Sequence, residues 1–258
     1  MKKKQTISVC SFKGGTAKTS AALHIGASLA KHHKKKVLLI DFDAQANLTS
    51  GLGFDPDEHD SLAEVLKQRK NIKDVIKKTS VKNLSLIPAD TWLERVEVTE
   101  PLACDRYSHE ILKGVLAEAD YDFILIDTPP SLCWLTESAL IASDHTVICA
   151  TPEFYSVKGL ERLSQFIKSL SERHPLNILG VLLSFWNARG KNNETFLDVI
   201  ESTFPSKLLK PKIRRDVLVS EAAILGKPLF EIEKESRAAD DFKEATKALL
   251  QNLIRKDS

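Results

Sequence analysis

Lys13-Gly14-Gly15-Thr16-Ala17-Lys18-Thr19-Ser20 lies between a short apolar run, Thr6-Ile7-Ser8-Val9-Cys10, and a helical pattern that begins at Ala21. Strand, glycine loop and helix in that order make a setting where backbone N–H groups and a helix N-terminus surround an anion. Gly14 and Gly15 let the backbone approach phosphate oxygens closely. Lys18 is placed to reach the outer phosphates, and the Thr19 hydroxyl is placed to ligate Mg²⁺. All eight residues, Lys13 to Ser20, therefore form the candidate phosphate cradle. The spacing departs from the ordinary G-x-x-x-x-G-K-[ST] pattern. Phe12 and Ala17 stand at its two outer glycine positions, and a second lysine, Lys13, precedes the glycines.

Outward from this loop, apolar runs alternate with helical patterns. Val37–Ile40, Leu84–Ile87, Phe123–Ile126, Thr146–Cys149 and Ile178–Leu183 are short, rich in Val, Ile and Leu, and apolar on both faces. That is the pattern of parallel strands covered by helices. Amphipathic stretches at Ala21–Lys34, Ser61–Gln68, Ser108–Glu118, Val157–Arg173 and Glu194–Thr203 lie between them. The alternation predicts an α/β fold, a doubly wound, mostly parallel β-sheet flanked by helices. Spacing does not set the strand order. No repeat or interdomain linker interrupts the chain, so residues 1–258 are expected to form one domain. The first strand follows the N-terminus almost at once, so no helix-turn-helix extension is expected ahead of it. Ser236–Lys256 reads as a final helix with Ala239, Phe242, Ala245, Leu249, Leu253 and Ile254 near one face, expected to pack on the sheet.

A phosphate loop needs carboxylates at neighbouring strand ends to hold Mg²⁺ and orient water. Asp127 closes the strand Phe123–Ile126 and precedes Thr128-Pro129-Pro130-Ser131. It is the candidate metal carboxylate, directly or through a bound water. Asp41 and Asp43 close Val37–Ile40. Alternation puts both on one side of the strand end. Both could approach the metal, with Asp41 as support and a further metal candidate.

Bulk properties exclude several classes. The 258 residues are 43% hydrophobic and 28% charged, with a formal net charge of +2, ordinary for a globular chain and too small to imply nucleic acid by itself. The four cysteines form no C-x-x-C pair or compact Cys/His cluster, which points to a reducing compartment and no structural zinc. The basic N-terminus is followed by too short an apolar run for a signal sequence, and no window approaches a membrane span. A cytoplasmic location is expected. The stretch Lys207-Leu208-Leu209-Lys210-Pro211-Lys212-Ile213-Arg214-Arg215 contains no acid and suits phosphate-backbone contact.

The loop resembles the deviant Walker A motif, K-G-G-x-x-K-[ST], of the ParA/MinD/nitrogenase iron-protein ATPases, a deviant branch of the P-loop NTPases (SIMIBI type). Asp41 to Gly53 resembles the ParA/Soj signature D-x-D-P-Q-G-N-x-T-S-G-L-G, with Ala44 and Ala46 in place of its Pro and Gly. Thr151-Pro152-Glu153-Phe154-Tyr155-Ser156 is similar to the E-[YF]-[YF]-[AS] loop, and Ser220–Pro228 to S-E-A-x-x-x-G-K-P. The chain is thus identified as a member of the ParA/Soj partition ATPases, in the short form. The resemblance implies ATP and Mg²⁺ as ligands and an ATP-dependent sandwich homodimer. It also implies nonspecific binding of double-stranded DNA on the nucleoid, and weak hydrolysis stimulated by a ParB-type centromere-binding protein. It makes Lys13 the residue that crosses to the partner's phosphates, Lys18 and Asp43 catalytic, and the loop after Asp127 a γ-phosphate switch. Arg189, Lys210, Lys212, Arg214 and Arg215 are the expected DNA contacts. Leu218 stands where relatives carry another DNA-binding arginine, and Ala17 where most carry glycine. Two other readings remain. A membrane-cycling MinD-like regulator needs a C-terminal membrane helix, and Asp240, Asp241 and Glu244 crowd the start of this one. An iron–sulfur electron donor needs two cluster cysteines per subunit. Cys133, just after the Asp127 loop, lies near the right place and Cys104 lies upstream, but neither is in glycine-rich surroundings. Cys10 and Cys149 are expected in the core.

Overall fold

The computed structural model describes residues 4–57, 60–98, 108–153, 156–190, 193–232 and 234–254. Strands β1 (Gln5–Cys10), β2 (Val37–Asp41), β3 (Lys77–Lys78), β4 (Leu84–Ile87), β5 (Phe123–Asp127), β6 (His145–Ala150) and β7 (Asn177–Leu183) form one sheet in the order β3-β4-β2-β5-β1-β6-β7. All pairings are parallel except that of β3 with β4. Every apolar run expected to be a strand is one. β3 was not legible, because two lysines on an exposed edge carry no apolar pattern.

The sheet is buried on both faces, and the period of two sorts its side chains. Val37 and Leu39 point to one face with Ile7, Val9, Leu84, Leu86 and Leu125. Leu38 and Ile40 point to the other with Ile124 and Ile126. The first face is covered by α1 (Lys18–His33) and α11 (Arg237–Ile254), with α2 (Asn47–Gly51) and α10 (Leu218–Ile224) at its rim. The second is covered by α3 (Leu62–Leu66), α4 (Ile72–Val75), α5 (Trp92–Val98), α6 (Ile111–Ala117) and α7 (Trp134–Ile141), and beyond β1 by α8 (Ser156–Ser171) and α9 (Asn193–Thr203). Each fully buried Leu or Ile contributes about 1.5–3 kcal/mol, so a dozen such residues per face hold the layers together.

The final helix packs as expected. Phe242, Ala245 and Leu249 are buried against α1 and β7, while Ile254, assigned to the same face from its spacing, is exposed. Asp241 is buried rather than solvated. Ser61–Gln68 shortens to α3, capped by Ser61 Oγ accepting from Ala63 N–H at 3.2 Å and stopped where Gln68 turns left-handed. The short helices α2, α4, α5, α7 and α10 were not assigned from sequence. α7 is buried nearly all round, Thr136 and Ser138 included, and so shows no apolar period. Two separated motifs meet in space. Gly53 and Gly226 both have positive φ, and a Cβ on Gly226 would lie 2.6 Å from Gly53 Cα. Glycine is required there because α2 and α10 are joined backbone to backbone.

Candidate nucleotide site

The strand order places β2, β5 and β1 side by side, so Asp41, Asp127 and the loop after Cys10 emerge together at the carboxyl edge. Asp127 is in register with Asp41 on one side and Val9 on the other. Open α/β sheets bind ligands at this edge.

Lys18 is the first residue of α1 and donates from Nζ to Asp127 Oδ1 at 2.7 Å. The pair is 6% and 0% exposed. Burial works against the Lys18 charge, and the bonded Asp127 carboxylate more than offsets it, so the ammonium is held. Asp43, 7% exposed, lies close enough for its charge to act on both partners. Burial pushes the Asp127 carboxyl up, against the pull of Lys18. Among the described residues its Oδ2 is buried without a hydrogen-bond partner. A buried carboxylate oxygen left unpaired is costly unless a ligand completes it. Thr19 stands near enough to lower the Asp127 pKa. Asp127 Oδ2 and the Thr19 hydroxyl therefore fit a hard cation that prefers oxygen.

The loop itself is open. Among the described residues no atom beyond the adjoining residues lies within 4 Å of a Cβ built on Gly14 or Gly15, and Gly15 has φ +74°. Ala17, the residue before α1, has φ 58°, and Ala46, before α2, has φ 50°. Both stand where the family motif has glycine, and both keep the left-handed turn that glycine adopts freely. An L-residue there costs roughly 1 kcal/mol. Ala17→Gly and Ala46→Gly are each expected to raise the melting temperature by about 2–4 °C, read by thermal denaturation without nucleotide.

Asp41 is fully buried and differently employed. Its Oδ2 accepts from Thr49 N–H at 2.8 Å and Thr49 Oγ1 at 2.7 Å, and its Oδ1 from Asp43 N–H at 3.2 Å. Thr49 Oγ1 in turn accepts from Ala89 N–H at 3.0 Å. Asp41 thus ties α2 and the Asp43 loop to β2. Burial and the neighbouring Asp127 charge push its carboxyl up to about 7.

Lys13 pairs with Glu153, on the loop after β6. Beyond Glu153 opens a cavity of about 1580 Å³, lined by Phe185, Asn187, Arg215, Asp216 and Val217 among others. Phe185 is 43% exposed and left-handed at φ 54°, a strained backbone for an aromatic residue.

The expected DNA contacts are not equivalent. Arg189, Lys210, Arg214 and Arg215 are all exposed, but they differ in what they are bonded to. Lys212 Nζ sits 3.9 Å from the Trp186 ring centroid, and burial and the Lys210 charge lower its pKa. Arg214 is engaged within the chain: Nε and Nη2 donate to Asp241 Oδ2 and Oδ1 at 2.9 and 2.8 Å, and Nη2 also reaches Arg237 O at 3.2 Å. This fork anchors α11, and no sequence signal announced it, because the partners are 27 residues apart and Asp241 reads as one of several acids. Leu218 packs partly buried against the core.

Cys10 and Cys149 are buried, as expected. Cys133 precedes α7, its Sγ 3.9 Å from Thr136 Oγ1. Cys104, Phe154 and Tyr155 lie outside the described residues. Among the described residues no helix is long and apolar enough to cross a membrane.

A glycine loop carrying two lysines, a buried Lys–Asp pair and carboxylates at adjoining strand ends define a P-loop nucleotide-binding protein. A family model described as an AAA domain matches residues 4–178. A ParA family protein of Chlamydia trachomatis is 65% identical over 95% of this chain and 97% of its own length. The sporulation initiation inhibitor protein Soj of Bacillus subtilis is 36% identical over 95% and 98%. Among solved structures, cobyrinic acid a,c-diamide synthase from Mycobacterium smegmatis with bound ATP analogue and magnesium superposes with TM-score 0.84 at 27% identity, covering 98% of this chain and 97% of that one. The chain belongs to the ParA family.

Proposed function

We propose that the protein hydrolyses ATP to ADP and phosphate with Mg²⁺, and that the ATP-bound homodimer binds nonspecific DNA until a ParB-type partner stimulates hydrolysis. The carrying observation is the Lys18–Asp127 pair with Asp43 beside it at the mouth of an open glycine loop. Residues 13–20 surround the phosphates through backbone N–H groups. Lys18 leaves Asp127 for the outer phosphates, which offer more negative charge than one carboxylate. Thr19 and Asp127 would hold Mg²⁺, which neutralises charge on the phosphate oxygens when bound. Asp43 orients water and accepts its proton, while Asp41 fixes the Asp43 loop without touching the reactants. Asn187 and the Arg214–Asp216 segment border the cavity and are the proposed surroundings of the adenine. Catalysis here is positioning and electrostatics, so a partner that completes the geometry raises the rate. The proposed setting is the cytoplasm, on the nucleoid, with no membrane role.

The DNA step is tested by binding to nonspecific duplex with ATP, with ADP and without nucleotide, at two salt concentrations. Binding is expected to need ATP and to weaken about tenfold or more between 50 and 200 mM salt if several phosphates are contacted. Lys210→Glu/Arg215→Glu is the variant of choice, since both side chains are exposed. Arg214→Glu would break the Asp241 fork and confound binding with folding. DNA binding absent in every nucleotide state would leave the ATPase but remove the DNA-partition function.

A further inference from the structure

Lys13 is bonded to Glu153, 140 positions away in sequence. The base of the loop that carries Lys13 is fixed to the same part of the chain. Phe12 occupies a notch over Gly159 of α8: a Cβ on Gly159 would lie 2.5 Å from the Phe12 ring. The Arg162 guanidinium lies 5.8 Å from the same ring. Phe12 thus anchors the backbone at the start of the loop, and Glu153 anchors the side chain that follows. Lys13 and Glu153 are 41% and 56% exposed, so the pair lies at the surface and can open.

We infer that Glu153 is a positioning residue that holds Lys13 within its own subunit, so that assembly of the ATP dimer requires Lys13 to exchange Glu153 for phosphate across the interface. This rests on the reading of Lys13 as the lysine that acts on the partner's nucleotide. One lysine stem cannot place its ammonium on Glu153 and on a phosphate in another subunit at once. The pair therefore stabilises the monomer and opposes the dimer. Exposed ion pairs are individually weak, corresponding to about a 1.4- to fivefold change in an equilibrium. A dimer opens two of them, so the effects multiply to about two- to thirtyfold on the dimer dissociation constant.

The test measures dimer dissociation by sedimentation of the full chain with a nonhydrolysable ATP analogue, alongside analogue affinity at concentrations where the chain is monomeric. Glu153→Gln is expected to tighten the dimer by that factor at saturating analogue, where any change in monomer affinity from its place on the cavity wall does not enter. Glu153→Asp, which keeps the charge, is expected to move back toward wild type. In a Lys13→Ala background, Glu153→Gln is expected to change nothing, since the cycle removes the shared partner. Glu153→Gln dimerising like wild type, while Lys13→Ala is defective, overturns the latch alone. Glu153→Gln weakening the dimer makes Glu153 an interface residue and also overturns it. Lys13→Ala dimerising normally overturns both the latch and the trans role of Lys13.

Discussion

Lys18→Ala is expected to abolish ATP binding and also to lower the melting temperature. Two different physical terms are removed by one substitution. The first is the ammonium proposed to meet the outer phosphates; among the described residues no other buried cation is bonded to the Asp127 carboxylate to replace it. The second is the Lys18 hydrogen bond to Asp127 Oδ1, at 2.7 Å in a fully buried position. Removing one member of a buried pair costs roughly 3–5 kcal/mol, because the other is left charged without compensation. Asp127 limits that loss by taking a proton, since burial already pushes its carboxyl up. A net loss near 3 kcal/mol, or about 6–12 °C in melting temperature, is the expected scale. The pH dependence has a definite sign. With Lys18 gone, the folded Asp127 pKa is raised above the unfolded value, so the folded state binds the extra proton. The deficit then grows as pH rises above the ordinary carboxylate range and shrinks as pH falls toward it. Lys18→Ala/Asp127→Asn is expected to recover most of the stability and none of the binding. Thermal denaturation at pH 5 and pH 8, with nucleotide titration on the folded variants, separates the two terms. Wild-type affinity in Lys18→Ala would overturn the assignment of the phosphate loop.

The parts of this protein that were legible in its sequence are those whose cause is local. A strand buried on both faces must be apolar throughout, so Val37-Leu38-Leu39-Ile40 and Phe123-Ile124-Leu125-Ile126 announced themselves. The glycine loop between β1 and α1 did too, because Gly14, Gly15 and Lys18 stand between an apolar run and a helical pattern. Contacts between distant segments were not legible. Arg214 reads as a free cation until α11 brings Asp241 beneath it, and Lys13 until β6 delivers Glu153. Neither pairing leaves a mark in composition or period. Between these cases stand Ala17 and Ala46. Their departure from the glycine pattern is visible in the sequence. Only the backbone shows that the left-handed turns persist and are strained rather than remodelled. Asp41 and Asp43 make the same point at finer scale. Strand alternation puts both near the strand end, but hydrogen bonding divides their work, with one carboxylate used by Thr49 and one facing Lys18 and Asp127.

That division makes Asp43→Ala the sharper test of catalysis. ATP hydrolysis is expected to fall by about 10²–10⁴, the range for losing a positioned general base, while ATP is still bound and the dimer still forms. The retention follows from the proposed binding residues: residues 13–20 and Asp127 are untouched, and loss of a carboxylate near Lys18 removes negative charge from the proposed phosphate site. A structural effect has to be kept apart from the chemical one. Asp43 Oδ1 accepts from Gln45 N–H at 3.1 Å, closing the turn that leads to left-handed Ala46 and α2. Alanine loses that bond, at roughly 0.5–1.5 kcal/mol, whereas Asn keeps a carbonyl oxygen to accept it. Asp43→Asn is therefore expected to match wild type in thermal stability and Asp43→Ala in lost hydrolysis. Single-turnover phosphate release with saturating ATP measures the chemical step directly. Unchanged turnover in both variants would remove Asp43 from the mechanism, and Asp41 would not be the heir. Both Asp41 oxygens are already engaged by Thr49 and by the backbone of Asp43 itself, so its carboxylate cannot turn to a water without dismantling the start of α2.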